Sequence, residues 1–177
     1  MTQFYFGDAG DIPVPGDYNG DGVTEAGVFR PSQNFWAVRG IGSFYFGADG
    51  DIAVPGDYDG DGKTDAAIFR PSATLWAVRG LTSFYFGEPS DLPVPGNYNG
   101  DDPSWEAAVF RPASGLWAIR GFGSYYLGAG NDQPVPGDYF GDGIDAIGIF
   151  RGSDGLWSIP GITRLYFGGN GDIPATR

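Results

Sequence analysis

The chain has 177 residues, including 32 Gly, 14 Pro, 14 Phe, 10 Tyr and 5 Trp. So many aromatic residues exclude a disordered low-complexity chain, while the glycine and proline content indicates many turns. The formal net charge of −12 argues against nucleic acids or anionic membrane surfaces as partners and favours cations. The absence of His and Cys excludes histidine-dependent triads, thiol nucleophiles, thiolate zinc sites and disulfides.

Neither a membrane span nor a secretory leader is indicated. The sequence has no run of eighteen apolar residues, and residues 1–4 lack a basic segment followed by an apolar one. We therefore expect no membrane insertion. If the protein is extracellular, its targeting signal is not present in this chain.

A repeat of about forty residues organises the whole sequence. A Val-Pro-Gly-Asp/Asn-Tyr phrase begins at Val14, Val54, Val94 and Val135, which are 40, 40 and 41 residues apart. We predict one repeat domain over 1–177, with repeats over approximately 7–46, 47–86, 87–127 and 128–167, and with 168–177 beginning a fifth unit. The first half of each repeat carries an acidic loop, and the second half carries a Phe-Arg step, a Trp and an aromatic-Gly or Leu-Gly step.

Each repeat reads as four short strands separated by turn residues. In the second repeat we predict strands over 53–58, 66–70, 75–79 and 83–86. Several of these strands are apolar on both faces, which is typical of small sheets packed between neighbouring sheets. The fold class predicted is all-β: a β-propeller built from four four-stranded blades. The alternatives are an open blade array and a dimeric eight-bladed ring.

The two ends of the chain carry copies of the same segment. Residues 4–14 (FYFGDAGDIPV) align with residues 165–175 (LYFGGNGDIPA). The chain therefore has one more aromatic-Gly strand than four blades need, and one copy is either displaced by ring closure or free to pair with another chain. We expect a homo-oligomer through the terminal strands in the second case.

The acidic loops between the first and second strands carry the strongest chemical signal. In the first two loops, oxygen-bearing side chains occupy positions 1, 3, 5 and 9 of a glycine-kinked segment, as calcium sites require, and the backbone carbonyl of position 7 would add a ligand. The alternative is a simple hairpin turn, which does not account for acids at alternate positions. The predicted calcium ligands of these loops are Asp17, Asn19, Asp21, Val23 and Glu25, and Asp57, Asp59, Asp61, Lys63 and Asp65.

The other two loops depart from this pattern. The third has an insertion, amides at positions 1 and 3, and its final acid one place late, whereas the fourth has Phe140 at position 3 and its final acid one place early. Fewer charges predict weaker calcium binding. The candidate ligands are Asn97, Asn99, Asp101 and Glu106 in the third loop, and Asp138, Asp142 and Asp145 in the fourth.

The repeat resembles a known family. The Phe-Gly, Pro-Val-Pro-Gly-Asp-Tyr, Asp-x-Asn/Asp-x-Asp-Gly-x-x-Asp/Glu, Phe-Arg-Pro and Trp-Ala-Val-Arg phrases resemble the FG-GAP, or VCBS-type, integrin-like repeats of bacterial extracellular proteins. The resemblance implies one propeller blade per repeat, calcium in the loop between the first two strands, and a role in adhesion, ligand binding or cell-surface architecture.

Two sets of repeated side chains allow a structural and a functional interpretation. Trp36, Trp76, Trp117 and Trp157 share one phase with apolar neighbours, which favours packing between blades over sugar-stacking platforms. We expect Arg30, Arg70, Arg111 and Arg151 to pair with the acidic loops or to stack on rings.

The function predicted is a non-enzymatic, calcium-binding repeat module for extracellular ligand binding, adhesion or structural assembly, with an extracellular protein or a glycan as partner. A carbohydrate-binding lectin with one site per blade is the alternative. A carboxylate-dependent glycosidase is less favoured, because the acids form near-equivalent loops rather than one asymmetric pair.

Overall fold

The computed structural model describes residues 4–162 and 165–174. The chain divides into two compact units, Met1–Pro89 and Ser90–Arg177, and each contains two four-stranded antiparallel sheets. The predicted fold class is confirmed: the protein is all-β, with four blades of the β-propeller type. The single domain, the ring closure and the alternatives to it stay predictions.

Each blade is a simple meander in which consecutive strands pair. The strands of the first unit are β1 (Ile12–Pro13), β2 (Gly27–Arg30), β3 (Phe35–Val38) and β4 (Gly42–Tyr45) in blade 1, and β5 (Ile52–Ala53), β6 (Ala67–Arg70), β7 (Leu75–Val78) and β8 (Thr82–Tyr85) in blade 2. Those of the second unit are β9 (Leu92–Pro93), β10 (Ala108–Arg111), β11 (Leu116–Ile119) and β12 (Gly123–Tyr126) in blade 3, and β13 (Gln133–Pro134), β14 (Ile149–Arg151), β15 (Leu156–Ser158) and β16 (Leu165–Tyr166) in blade 4. Short 3₁₀ turns at Pro31–Gln33 and Pro71–Ala73 connect the second and third strands of blades 1 and 2.

The second and third strands form the centre of each blade and bury their side chains. The second strand of blade 2, β6, has three consecutive buried residues, as expected for a sheet covered on both faces. The repeated Trp of blades 1 to 3 lies on the third strand and is fully buried: Trp36, Trp76 and Trp117 are each 0% exposed. The packing interpretation of these three is confirmed, and their rings are not available as sugar platforms. Trp157 is only partly buried.

Each Trp is fixed by two neighbours from its own blade. In blade 1 the ring of Phe29 lies 4.9 Å from that of Trp36, centroid to centroid, and the indole Nε1 donates a hydrogen bond of 3.1 Å to the carbonyl of Phe46. The same donor–acceptor pairs recur as Trp76–Phe86, Trp117–Leu127 and Trp157–Phe167. The aromatic-Gly step therefore closes each blade by accepting the indole proton of the third strand.

The first strand of each blade is much shorter than predicted. In blade 2 it covers Ile52–Ala53 rather than 53–58. Pro55 has no backbone N–H, so the ladder cannot continue through it, and Gly56 pairs only as an isolated bridge with Asp65. The other three predicted strands of this blade are confirmed to within one residue at each end.

The two terminal copies have different structures. Leu165–Tyr166 forms the fourth strand of blade 4, and Ile12–Pro13 forms the first strand of blade 1. Residues 4–6 lie outside any strand, and Tyr5 is fully exposed. The ring of Phe4 nevertheless lies 4.1 Å from the guanidinium carbon of Arg39, as the ring of Phe44 lies 4.0 Å from that of Arg79. Ala175 and the rest of the predicted fifth unit beyond 174 lie outside the described residues.

Candidate calcium loops

Each acidic loop connects the first strand of a blade to the second. A backbone bridge and a tyrosine hydrogen bond hold the loop in place. In the first loop Gly16 pairs with Glu25 as an antiparallel bridge, and the Tyr18 hydroxyl donates to the carbonyl oxygen of Val14 at 2.9 Å. Burial raises the pKa of this hydroxyl, which therefore stays protonated as a donor. The same tyrosine contact recurs in the other loops as Tyr58–Val54, Tyr98–Val94 and Tyr139–Val135.

The first residue of the first loop orders the glycine turn around itself. The Asp17 carboxylate accepts hydrogen bonds from the backbone N–H groups of Gly20 and Gly22, both at 2.7 Å, and of Asp21 at 3.2 Å. Desolvation opposes ionisation of this carboxyl group, but these donors outweigh it and lower its pKa. Asp17 is therefore held as a carboxylate at the centre of the loop.

The last acid of the first loop faces the same centre. Glu25 accepts from the backbone N–H of Tyr18 at 2.9 Å and from the Asn19 side chain at 2.7 Å. Asp17, Asp21 and Glu25 each place one carboxylate oxygen within 4.8 Å of the others. Two oxygens bound to one calcium ion at about 2.3 to 2.6 Å cannot be more than about 5 Å apart, so this spacing fits a calcium ion.

The second loop has the same backbone arrangement and more charge. Asp57 accepts from the N–H groups of Gly60, Asp61 and Gly62, as Asp17 does from its equivalents. Asp59 replaces Asn19, and the carboxylates of Asp57, Asp59 and Asp61 each place one oxygen within 4.8 Å of the others. In the described part of the chain, these three and the first-loop group are the groups of three or more acids spaced for one ion.

The pKa of Asp65, the last acid of the second loop, reflects burial and charge repulsion. Asp65 accepts from the backbone N–H of Tyr58 at 2.9 Å, but burial, and after it the negative charges of Asp59 and the other loop acids, raise the pKa of Asp65. The Lys63 ammonium lies 3.0 Å from Asp61 and neutralises part of this charge. A divalent cation would compensate for the remainder.

The extra residue of the third loop lies before the bridge between Gly96 and Glu106, so the bridge itself is unchanged. Glu106 pairs with Gly96, as Glu25 pairs with Gly16, and accepts from the backbone N–H of Tyr98 at 2.8 Å and from the Asn99 side chain at 2.5 Å. The final acid is therefore one place late in the sequence but equivalent in space. The amides of Asn97 and Asn99 leave this loop with less charge, and Asp102 caps the inserted turn by accepting from Ser104.

The fourth loop does not bring its three candidate acids together in this way. The bridge partner of Gly137 is Ala146, so alanine occupies the place of Glu25 and Asp65. Asp145 instead occupies the place of Thr64: its backbone N–H donates to the carbonyl of Asn97 at 2.6 Å, and its carboxylate accepts from the Asn97 N–H at 3.1 Å. Asp138 and Asp142 remain in the loop, where Asp138 accepts from the N–H groups of Gly141, Asp142 and Gly143.

The repeated arginines pair with acids that sequence reasoning missed. Arg70 on β6 makes two hydrogen bonds to Asp51, at 2.6 and 2.9 Å, and the Asp51 side chain is completely buried. The equivalent pairs are Arg30–Asp11, Arg111–Asp91 and Arg151–Asp132. These aspartates precede the first strand of each blade and lie outside the acidic loops, so the predicted pairing of the arginines with those loops is wrong. The signal was an Asp 19 or 20 residues before the Arg of every Phe-Arg step.

The structure thus brings together Asp17, Asp21 and Glu25 in the first loop and Asp57, Asp59 and Asp61 in the second. The ligand roles of Asn19 and Asp65 stay predictions, as do those of the carbonyls of Val23 and Lys63. The backbone N–H groups of these two residues donate to Asp21 and Asp61. No helix in the described residues has the length and apolar character needed to cross a membrane. Comparisons with known proteins found no matching family model, no matching curated protein and no matching solved structure.

Proposed function

We propose that the protein is a non-enzymatic, calcium-stabilised repeat module that works outside the cell in ligand binding, adhesion or structural assembly. The observation that carries the proposal is the convergence of Asp57, Asp59 and Asp61 in the second loop, where the Lys63 ammonium pairs with only one of the three, Asp61. A site of this kind gains stability when a divalent cation replaces the repulsion between carboxylates. The first loop supplies a second site with one charge fewer.

Calcium at these loops would stabilise the folded blades directly. The ligands come from positions 1 to 9 of a loop closed by a backbone bridge, so the folded chain offers a site that the unfolded chain lacks. Binding at a free calcium concentration one hundred times the dissociation constant would add about 2.7 kcal/mol per site to the free energy of unfolding. The role assigned to calcium is therefore structural.

Thermal unfolding in calcium and in EDTA tests the proposal. We expect a higher Tm in calcium, a smaller effect of magnesium, and loss of most of the second-loop contribution in Asp61→Asn, which removes an acid that both loops have at position 5. Asp142→Asn, in the fourth loop, is the matched control and should keep the full calcium effect. An identical Tm in calcium and EDTA would contradict the proposal.

Carbohydrate binding is a second candidate, with tyrosine rather than tryptophan as the stacking residue. The fourth strand of every blade exposes one tyrosine at the same position: Tyr45 is 73%, Tyr85 75%, Tyr126 76% and Tyr166 67% exposed. Exposed aromatic faces repeated once per blade suit weak multivalent binding of sugar rings. A glycan array in calcium tests this candidate, and an array without hits would overturn it.

Assembly of the chain with a second copy is supported by the exposed N-terminal segment. Phe4, Tyr5 and Phe6 repeat the sequence of the fourth strands but lie outside any strand, so their backbone groups are open to pairing. We expect light scattering to detect a dimer or a longer series that is lost in Tyr5→Pro. A monomer at all concentrations would contradict this.

A further inference from the structure

The repeat is broken at one position that faces the space between blades 3 and 4. The residue three places after the repeated Trp is Arg39 in blade 1, Arg79 in blade 2 and Arg120 in blade 3, but Pro160 in blade 4. The arginines donate their backbone N–H to the carbonyls of Ala26, Ala66 and Ala107, respectively. Proline has no N–H to donate, and β15 accordingly ends one residue earlier than β7.

In the first unit the arginine side chain covers an aromatic ring of the neighbouring blade. The guanidinium carbon of Arg79 lies 4.0 Å from the centroid of the Phe44 ring. Phe44 is on the fourth strand of blade 1, paired with Trp36. This distance is that of a close cation–π contact, so the ring of one blade serves as a platform for the cation of the next.

In the second unit the platform is present but the arginine is absent. Tyr125 pairs with Trp117 on the fourth strand of blade 3, which is the place of Phe44 in blade 1. The residue of blade 4 equivalent to Arg79 is Pro160, whose ring is too short to cover Tyr125. A pocket of about 250 Å³ is found here, lined by both of these residues and by Tyr98, Phe122, Ile119 and Ile147 among others.

The pocket also contains a negative charge that blade 2 lacks at this position. Asp145 lines it and occupies the place of Thr64, with only 7% of its surface exposed. Phe122 gives the pocket a second aromatic ring, where blade 1 has Ile41 at the equivalent position. The Phe122 ring centroid lies 6.4 Å from that of Tyr125. Two aromatic rings beside one carboxylate are complementary to an organic cation that carries its charge on a flat, weakly hydrated group.

We propose that this pocket binds an arginine side chain of a partner polypeptide. The guanidinium would lie on Tyr125 as that of Arg79 lies on Phe44, with Asp145 supplying the opposite charge and the two isoleucines contacting the methylene stem. The volume suits one side chain rather than a drug-sized ligand. The net charge of −12 would attract a basic partner over longer distances.

An NMR titration of the full chain tests the proposal, with ethylguanidinium as the probe and N-ethylurea as its uncharged counterpart of similar shape. Calcium and ionic strength are held constant. We expect saturable shifts of the Tyr125 and Phe122 ring signals with ethylguanidinium and a dissociation constant at least about tenfold higher for N-ethylurea. Absence of saturation, or equal binding of the two probes, would overturn the proposal.

Two variants locate the binding. Pro160→Arg restores the arrangement of blade 2, so the chain should fill its own pocket and the saturable shifts should disappear. Asp145→Thr installs the residue of blade 2 and should weaken ethylguanidinium binding about tenfold or more. Tyr125→Phe, which matches Phe44, is the control and should bind as the wild type does. Unchanged binding in either of the first two variants would overturn the proposal, and the outcome of Pro160→Arg does not depend on the acidic loops.

Discussion

The backbone N–H of Thr64 donates to the carbonyl oxygen of Asp17 at 2.6 Å. This hydrogen bond joins the second acidic loop to the first, and the Thr64 side chain packs directly over Gly16. In the second unit the corresponding bond runs from Asp145 to Asn97. The two acidic loops of each unit are therefore directly hydrogen-bonded to each other.

This contact predicts that Gly16 tolerates no side chain. A Cβ at Gly16 would lie 2.6 Å from both Oγ1 and Cγ2 of Thr64. We expect Gly16→Ala to lower the free energy of unfolding by about 1 to 3 kcal/mol, the usual cost of overpacking. Urea unfolding measures the loss.

The matched control is Gly169→Ala, because a Cβ there meets nothing within 4 Å. Thr64→Gly removes the obstructing atoms, so the double variant Gly16→Ala with Thr64→Gly should lose less than the sum of the two single variants. Strict additivity of the two losses would show that the contact is not responsible.

The buried tryptophans predict a large and position-dependent loss of stability. Trp76 is 0% exposed and donates its indole proton to Phe86 at 3.2 Å. Trp76→Ala should cost about 3 to 5 kcal/mol. Trp157 is only partly buried and lies on a shorter strand, so Trp157→Ala should cost clearly less. Chemical unfolding measures the loss of unfolding free energy in each variant. Equal losses in Trp76→Ala and Trp157→Ala would contradict the prediction that the cost follows the burial of the ring.

The sequence predicts the fold class, the repeat and most strand positions because short strands with glycine and proline turns have strong local signals. It also indicates that the acids of the first two loops lie near one another, as Asp17, Asp21 and Glu25 do, and as Asp57, Asp59 and Asp61 do, since a loop of fixed length closed by one bridge leaves little freedom. It fails where a single residue changes the register. Asp145 is structurally equivalent to Thr64 and not to Asp65. This equivalence is apparent only from the bridge partner of Gly137, which is Ala146, whereas the bridge partner of Gly56 is Asp65.

The partners of the arginines were not predictable from local pattern for a related reason. Arg70 and Asp51 are separated by 19 residues and meet only because β5 and β6 pair in an antiparallel register. The pocket at Pro160 could not be predicted from local pattern either, because its lining residues come from two different blades. Only a comparison with the place of Arg79 in blade 2 reveals that a side chain is missing there.

The Arg151–Asp132 pair predicts how stability depends on pH. The Arg151 guanidinium, through its hydrogen bonds at 2.7 and 2.8 Å, lowers the pKa of Asp132 below its usual value. A lowered folded pKa means that the stabilisation is fully present above the unfolded value of about 3.9 and is lost as the pH falls through the lower folded value. The contribution of this pair to the free energy of unfolding should therefore decrease below about pH 4.

Asp132→Asn tests this assignment. At neutral pH the variant should lose about 1.5 kcal/mol, near the lower limit for a hydrogen bond to a charged group because the Arg151 side chain is 41% exposed. Its unfolding free energy should also decline less between pH 5 and pH 2. Asp49→Asn, at an exposed carboxylate, controls for the change in net charge. An equally steep decline in the Asp132→Asn variant would contradict the assignment.

Native mass spectrometry of the whole chain in a calcium-containing volatile buffer, repeated after EDTA, tests the central claim most directly because it counts bound ions on each chain. We expect two calcium ions per chain, held by the loops of Asp17 and Asp57, and one ion in the Asp61→Asn variant at limiting calcium. A chain that carries no calcium above the EDTA background would contradict it.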